Sequence, residues 1–391
     1  MTWLVLAAAA FGQTPDAAPP TAPPVQVVQP PGTPQTTARR DRDAFEETLR
    51  TDRHLGELAQ RALPELEALA ARGNTDAMIV LAYFHRVGIG TPANPARGRE
   101  WLQRAAGAGA PLAEYQLAIA LRDETAGAPD YAAARRWLQR SADHGHVPAM
   151  ALLGVSYLTE RGGPRDEAQA LRWLRPAAAA QDLSAMAMLG ALYLAHIPTD
   201  SDPAEGLRLL RTSAERGYRI AMFQLAITYL GGTSAPRDMA EGARWMRTAA
   251  EAGDERAMTG LGIIYLDGAG GVTRDDAEGA RWIRRGAEAG DKEGMFQLSR
   301  LLAMGRGVTQ NNQESLRWML AASSAGHREA PLLLGLYAER VGRRDEALRY
   351  LRLALERGNP RAQAELQRVE AGQPPAATAT PDPHPAPAPS H

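Results

Sequence analysis

The residues best suited to chemistry by type and spacing are Gly268, Gly270 and Gly271, in the stretch ERAMTGLGIIYLDGAGGV at 255–272. A glycine-rich loop binds phosphate when it follows a strand and leads to a Lys-Ser or Lys-Thr pair or to a helix N-terminus aimed at the ligand. Neither context accompanies these glycines. Equivalent glycines stand at 88 and 90 and at 305 and 307, so the pattern predicts a recurring turn and no phosphate loop.

The only close pair of histidines, His144 and His146, could in principle bind a metal ion. A zinc site takes at least three protein ligands, and no third ligand stands at a matching spacing. A predicted helix C-terminus, which favours positive charge, is enough to account for His144. We therefore predict no metal site.

Other catalytic patterns are missing from the sequence. There is no cysteine, which excludes disulfides, zinc-thiolate sites and thiol catalysis. There is no Ser-His-Asp order, no pair of carboxylates in a catalytic setting and no nucleophile elbow. We expect no catalytic residue and no cofactor, and the protein is predicted not to be an enzyme.

Charge and hydropathy argue against two further classes of protein. The 44 basic residues almost balance the 45 acidic ones, whereas bulk nucleic-acid binding needs positive charge concentrated on one face. No stretch reaches the roughly 18 consecutive apolar residues of a membrane-spanning helix. We expect no nucleic-acid partner and no transmembrane segment.

The two ends of the chain differ in composition from its middle. An apolar run from Trp3 to Phe11, followed by small residues, predicts a signal peptide at 1–13, although the usual basic start is missing. Disordered segments rich in Pro and Ala are predicted at 14–40 (a linker) and 372–391 (a tail), which leaves 41–371 for the folded region. The signal favours a periplasmic or secreted protein associated with the cell envelope. If the run is only an apolar N-terminus, the protein is cytoplasmic.

The folded region is a series of repeats of 36 or 37 residues. The first residue of each copy is a small one: Ala77, Ala113, Ala149, Ala185, Ala221, Ala257, Gly294 and Ala330. The fifth residue is Leu in all eight copies, and the sixth is Ala, Gly or Ser. This stripe predicts a first helix that buries one face and lets a neighbouring helix approach closely.

The second half of each copy predicts a second helix. One position holds Trp in six copies, with Leu209 and Tyr350 in the other two. Seven residues earlier, seven copies have Asn or Asp, which are preferred N-cap residues, and five of these have Gln or Glu three residues further on, which predicts a capping box. Eight residues after the Trp position a Gly predicts the helix end in seven copies, and Gln181 is the exception.

Neither helix can bury its apolar face within one copy, so the copies must stack. The recurring pattern A-x-x-x-L-G-x-x-Y-x-x-G-x-G-V, an Asp, then A-x-x-W-x-x-x-A-A-x-x-G resembles the Sel-one-like repeat family of the tetratricopeptide-like superfamily. The Tyr of this pattern is replaced in four copies, by His85, Leu121, Leu302 and Ala338. The predicted fold is all-α, a right-handed superhelical solenoid of antiparallel helix pairs with about eight 36-residue repeats plus caps.

The resemblance implies that one face of the first helices lines a concave groove. Positions three, seven and ten of the first helix share a face by their helical spacing. We predict a partner-binding groove there, with these candidate residues: Ile79, Tyr83, Arg86, Tyr115, Ile119, Arg122, Phe223, Ile227, Thr259, Ile263, Phe296 and Arg300. The alternative is that apolar residues at these positions pack against the neighbouring helix.

The predicted function is that of an adaptor or scaffold, which holds a peptide segment or helix of a partner protein in the groove. The family resemblance implies this function, together with roles in envelope biogenesis, polysaccharide control or signalling. The alternative is an envelope glycan- or cell-wall-binding module, or, with less support, a cell-wall-active enzyme. A glycan site needs exposed aromatic faces, and nearly every Trp here belongs to the repeat pattern, which favours a protein partner.

Overall fold

The structure, a computed structural model, describes residues 53–123, 128–198, 201–232 and 236–373. The predicted signal peptide at 1–13, the linker at 14–40 and most of the tail at 372–391 lie outside this range. The described residues form 18 helices and no strand, which agrees with the predicted all-α fold. None of these helices is long and apolar enough to cross a membrane.

The helices alternate between the first and second helix of each repeat, with one capping helix at each end. They are α1 Arg53–Ala71, α2 Thr75–Val87, α3 Pro95–Gly107, α4 Pro111–Leu121, α5 Tyr131–Asp143, α6 Val147–Tyr157, α7 Glu167–Ala179, α8 Leu183–Leu194, α9 Pro203–Glu215, α10 Arg219–Gly231, α11 Met239–Glu251, α12 Glu255–Asp267, α13 Asp276–Ala289, α14 Lys292–Met304, α15 Asn312–Ser324, α16 Ala330–Arg340, α17 Arg344–Glu356 and α18 Ala362–Glu370. The even-numbered helices from α2 to α16 are the first helices of the repeats. The odd-numbered helices from α3 to α17 are the second helices.

The core of the stack follows the predicted small-residue stripe. The fifth-position Leu is at most 4% exposed in every repeat, and the sixth-position residue is buried in every repeat. The Trp position is less uniform, because Trp173 and Trp245 are buried whereas Trp101, Trp137, Trp282 and Trp318 are half-buried. The first helices therefore supply the most buried part of the stack.

The N-caps of the second helices are formed as predicted in all seven copies. In each, the side-chain oxygen of Asn or Asp accepts a backbone N–H two or three residues further on, as Asp238 does from Glu241 at 3.0 Å. The prediction of a reciprocal capping box is wrong in four of the five copies, because the N-cap N–H already donates to a carbonyl of the preceding helix. The pairs are Asp166 to Tyr157, Asp238 to Tyr229, Asp275 to Tyr265 and Asn311 to Leu302.

Two of the acidic side chains that were predicted to complete a capping box bond to other side chains. Glu241 accepts from the indole N–H of Trp245 at 2.8 Å and pairs with Arg244. Glu314 accepts from Trp318 and pairs with Arg284 of the preceding repeat at 2.6 Å. Both carboxylates therefore bond to the Trp ring of their own helix, and Glu314 also links two repeats.

The second helices end at glycines with a left-handed backbone, as predicted. The φ of these seven glycines runs from 70° at Gly358 to 107° at Gly290. Gln181 occupies the same place in its repeat with a φ of 65°, a conformation that costs a residue with a Cβ about 1 kcal/mol. The exception in sequence therefore keeps the backbone conformation of the other copies.

Replacing Gln181 with glycine should stabilise the protein by about 0.5–1 kcal/mol, because glycine adopts this φ without steric cost. The gain is reduced by loss of the exposed hydrogen bond from Arg216 to the Gln181 amide oxygen at 2.9 Å. Urea unfolding followed by circular dichroism measures the change. Gln181→Ala, which loses the same bond but keeps a Cβ, is the control and should not stabilise; equal midpoints for the two variants would contradict the prediction.

Candidate functional site

The seventh position of the first helix is the most accessible of the three rows predicted to line the groove. No residue at this position is buried in any of the eight repeats. Ile119 is 38% exposed and Ile227 46%, while Tyr83, Ile263 and Arg300 are half-buried. Apolar surface at this row is therefore available to a partner along the described repeats.

The third position contributes to packing between repeats, which corrects three of the twelve candidates. Ile79 and Thr259 are each 2% exposed, and Phe296 is 5% exposed. Tyr115 and Phe223 are half-buried. Buried side chains cannot contact a partner, so Ile79, Thr259 and Phe296 do not line an open groove.

Each aromatic residue at the third position contacts the start of the next repeat. The ring of Tyr115 lies 4.9 Å from that of His146, and the ring of Phe296 is parallel to that of His327 at 4.1 Å. The guanidinium of Arg256 lies 4.4 Å above the Phe223 ring. These contacts at the third position therefore join neighbouring repeats.

Thr259, also at the third position, contacts the start of the next repeat through a polar group. Its neighbour in the next repeat is the N-cap Asp291, which is 6% exposed. Burial raises the pKa of the Asp291 carboxyl, and a hydrogen bond from Thr259 opposes part of that rise. The hydroxyl thus stabilises a buried carboxylate at the junction of two repeats.

The residues at the tenth position are exposed in some repeats and buried in others. Arg86 is exposed, with its guanidinium 5.2 Å from the centre of the Tyr83 ring, and Arg122 is half-buried. Leu194 and Leu266 are buried at the same position in later repeats. Positive charge at this row is confined to the N-terminal repeats.

One row of accessible residues was missed by the sequence analysis. The fourth position of the first helix is half-buried in all eight repeats, and it lies one turn before the seventh. Its residues are Val80, Gln116, Leu152, Met188, Gln224, Gly260, Gln297 and Leu333. We call the fourth and seventh positions together the first-helix face.

An apolar strip on α10 adjoins the first-helix face and includes its seventh-position residue, Ile227. Ile220 is 40% exposed and Ile227 46%, one at each end of two helical turns. Phe223 is half-buried between them and packs on the core cluster below. These three residues form an apolar strip, with the guanidinium of Arg256 over the ring of its middle residue, Phe223.

The histidine pair that could have bound a metal has other partners. His146 Nδ1 accepts the N–H of Ala149 at 3.3 Å, an N-cap bond, and burial lowers the pKa of this imidazole. His144 Nδ1 lies 2.9 Å from Glu114 Oε2. No group of three or more His, Asp or Glu suited to a metal ion is found in the part of the chain that the structure describes.

Glu114 is fully buried at a position that holds Met in six other repeats. Its two oxygens face Arg140 Nε at 3.2 Å and His144 Nδ1 at 2.9 Å. A buried carboxylate is tolerated only with such partners. The three residues hold α4 against α5, and nothing in their arrangement provides a nucleophile or an open substrate site.

Stacked helix pairs with an accessible first-helix face define an α-solenoid repeat protein. The profile of the Sel1 repeat matches eight segments, at 75–109, 111–146, 147–182, 183–218, 219–254, 255–291, 292–327 and 332–359. The chain belongs to the Sel1 repeat family, within the tetratricopeptide-like superfamily. Solenoids of this family generally serve as protein–protein interaction scaffolds.

Two solved structures support the fold. One is a protective antigen of uropathogenic Escherichia coli strains with an SLR fold, at 28% identity and a TM-score of 0.54 over 79% of this chain and 67% of that one. The other is a Sel1 repeat protein from Oxalobacter formigenes, at 22% identity and a TM-score of 0.55 over 90% of this chain and 98% of that one. A search of curated proteins found no match.

Proposed function

We propose that this protein is a non-enzymatic adaptor that holds a segment of a partner protein on its first-helix face. One observation carries the proposal: the seventh position escapes burial in all eight repeats, although seven of its eight residues are apolar. Exposed apolar surface that continues over several repeats is a liability in a free protein and is typical of a binding surface. A helix or extended peptide with apolar anchors fits such a surface.

Charge beside the first-helix face suggests the chemistry of the partner segment. The apolar strip on α10 suits apolar side chains of a partner, and Arg86 and Arg122 place positive charge near the N-terminal end. We therefore propose an amphipathic segment with an acidic end that lies over α2 and α4. Only Tyr83 among the seventh-position residues is aromatic, so the face offers little for stacking sugar rings.

We place this adaptor in the cell envelope, as a periplasmic or secreted protein. The apolar run from Trp3 to Phe11 supports export, and so does the similarity to a protein described as a protective antigen. Fractionation of the native cell with an antibody to the chain tests the location. Recovery of the intact chain with cytoplasmic markers alone would contradict it.

Replacing Ile119 and Ile227 together with glutamate should reduce partner recovery by about tenfold or more, because both changes put an unpaired charge into the interface. The side chains are exposed, so the melting temperature should stay close to that of the wild type. Crosslinked affinity purification from the native cell, followed by mass spectrometry, compares the variants. The partner must be a protein that is captured by the wild type and lost from the variant.

The matched control carries the same change on the second helices. Leu320 is 37% exposed and Leu355 38%, so Leu320→Glu with Leu355→Glu alters charge and apolar exposure to the same degree away from the first-helix face. This control should retain the partner. Equal loss in both double variants would show that the first-helix face is not the binding surface, and recovery of a polysaccharide alone would favour the glycan-binding alternative.

A further inference from the structure

A cleft of about 580 Å³ lies beside the turn that joins α12 to α13, away from the residues of the first-helix face. Arg244 and Arg247 of α11 line it, together with Arg274, Tyr265 and the backbone of 270–273. An added Cβ at Gly270 would collide with the carbonyl of Met239, so the turn lies directly against the start of α11. The glycines that do not form a phosphate loop therefore form one wall of a basic cleft.

The three arginines differ in how their charge is balanced. Arg244 pairs with Glu241 at 2.5 Å. Arg274 pairs with Asp276 at 3.1 Å, and Asp276 also accepts from Arg306, so one carboxylate serves two guanidinium groups. These two partners hold the pKa of the Asp276 carboxyl well below its ordinary value.

Arg247 is the arginine without a carboxylate. Its guanidinium donates to the Tyr265 hydroxyl at 2.9 Å, and among the described residues it makes no ion pair. The tyrosine positions the cation but does not neutralise it. The one acidic residue in the cleft wall, Asp275, is engaged as an N-cap, with Oδ1 accepting the N–H of Glu278 at 2.9 Å.

Among the described residues, the Arg247–Tyr265 pair is the last of three that occupy the same two repeat positions. Arg175 donates to Tyr193 at 3.3 Å and Arg211 donates to Tyr229 in the two preceding repeats. In the following repeat the equivalent Arg284 is neutralised by Glu314. The Arg175 pair lacks a second arginine from its turn, since Ser201 precedes the N-cap where Arg274 does in the cleft.

The backbone of the turn also lines the cleft. Val272 N–H bonds to Ala269 O at 3.2 Å, whereas the amides of Gly271 and Thr273 have no acceptor within the described parts of the chain. Guanidinium groups and backbone amides are the donors that recognise carboxylate and phosphate. The cleft volume falls in the range of small-molecule sites, which leaves room for the molecule that carries the anionic group.

We propose that this cleft binds a compact oxyanion, a phosphate or carboxylate group of a ligand, with Arg247 as its main partner and Arg274 and the amides of Gly271 and Thr273 as further donors. The site is separate from the proposed partner surface and does not depend on it. It assigns a second, polar binding function to a solenoid whose first-helix face is largely apolar.

The test is a titration of the full chain with inorganic phosphate and, in a second arm, with sodium acetate. Two-dimensional NMR of the deuterated protein follows the amides of Gly271 and Thr273 at constant ionic strength, set with sodium chloride. We expect saturable shifts in at least one arm, and the arm that saturates at lower concentration identifies phosphate or carboxylate as the preferred group. Arg247→Gln should raise the dissociation constant about tenfold or more, since it removes charge-assisted hydrogen bonds.

The matched control is Arg175→Gln, which removes the equivalent arginine where the turn supplies no second one. It should leave the dissociation constant unchanged. Both variants should have the melting temperature of the wild type, because the two arginines are exposed. Absence of saturation in both arms would overturn the proposal. Equal weakening by Arg175→Gln and Arg247→Gln would also overturn it, since it would indicate general charge attraction. Neither readout involves the partner protein, so failure here is distinct from failure of the adaptor function.

Discussion

Replacing Phe296 with glutamate should destabilise the C-terminal repeats by about 4 kcal/mol or more. The ring is 5% exposed and stacks on His327 at 4.1 Å. Loss of a buried Phe costs about 3–5 kcal/mol by itself, and a carboxylate in its place would lie near Glu293, the ion-pair partner of His327. Urea unfolding followed by circular dichroism measures the loss.

Hydrogen exchange should locate the effect of Phe296→Glu. Because each repeat contacts mainly its neighbours, protection should fall first in α14 to α16 and less in α2 to α6. The control is Ile227→Glu, which makes the same charge change at a residue 46% exposed and should cost less than about 1 kcal/mol. If the two variants unfold at the same urea concentration, Phe296 is a surface residue and the third position lines a groove after all.

The regular part of the fold could be predicted from sequence because it obeys local rules that are repeated in every copy. An Asp or Asn with a free side-chain oxygen caps the helix that follows it, and a residue without a Cβ adopts the left-handed helix end. The fifth-position Leu and the small sixth residue follow from the period of a single helix. Even Gln181, the exception in sequence, has the left-handed backbone of the other copies.

The candidate site could be predicted only in part, because accessibility depends on the next repeat. Positions three and seven share a face of an isolated helix, yet Phe296 is covered by His327, which lies 31 residues further on. The prediction of a reciprocal capping box was wrong for a related reason, because the Asp238 amide already donates to the Tyr229 carbonyl. A helical wheel contains no information about contacts at such separations.

The fourth-position row and the basic cleft show the same limit. Helical spacing from Ile227 leads directly to Gln224 and Phe223, so that row could have been found once the seventh position was known to be accessible. The basic cleft could not have been found from the sequence. It depends on the left-handed φ of Gly270 and Gly271 and on the carboxylates that already pair with Arg244 and Arg274. Identifying Arg247 as the unbalanced cation requires the partners of all three arginines.

Replacing Gly262 with valine should destabilise the protein by about 3 kcal/mol, the upper range for overpacking. An added Cβ would lie 2.7 Å from the carbonyl oxygen of Gly279 and 2.5 Å from Ile283 Cγ1, so α12 and α13 would have to separate. The Gly279 carbonyl is backbone and cannot rotate away. Gly262→Ala should cost less, because the better helix propensity of alanine, about 1 kcal/mol, offsets part of the clash.

Gly260→Val is the matched control, since it lies two residues earlier on the same helix. Its Cβ would meet the Met246 sulfur at 2.8 Å, and a flexible thioether can move aside. We expect this variant to unfold within about 1 kcal/mol of the wild type. Equal losses for Gly260→Val and Gly262→Val would mean that valine disfavours the helix itself, whereas a loss confined to Gly262→Val means that the sixth position is small because two helix backbones meet there.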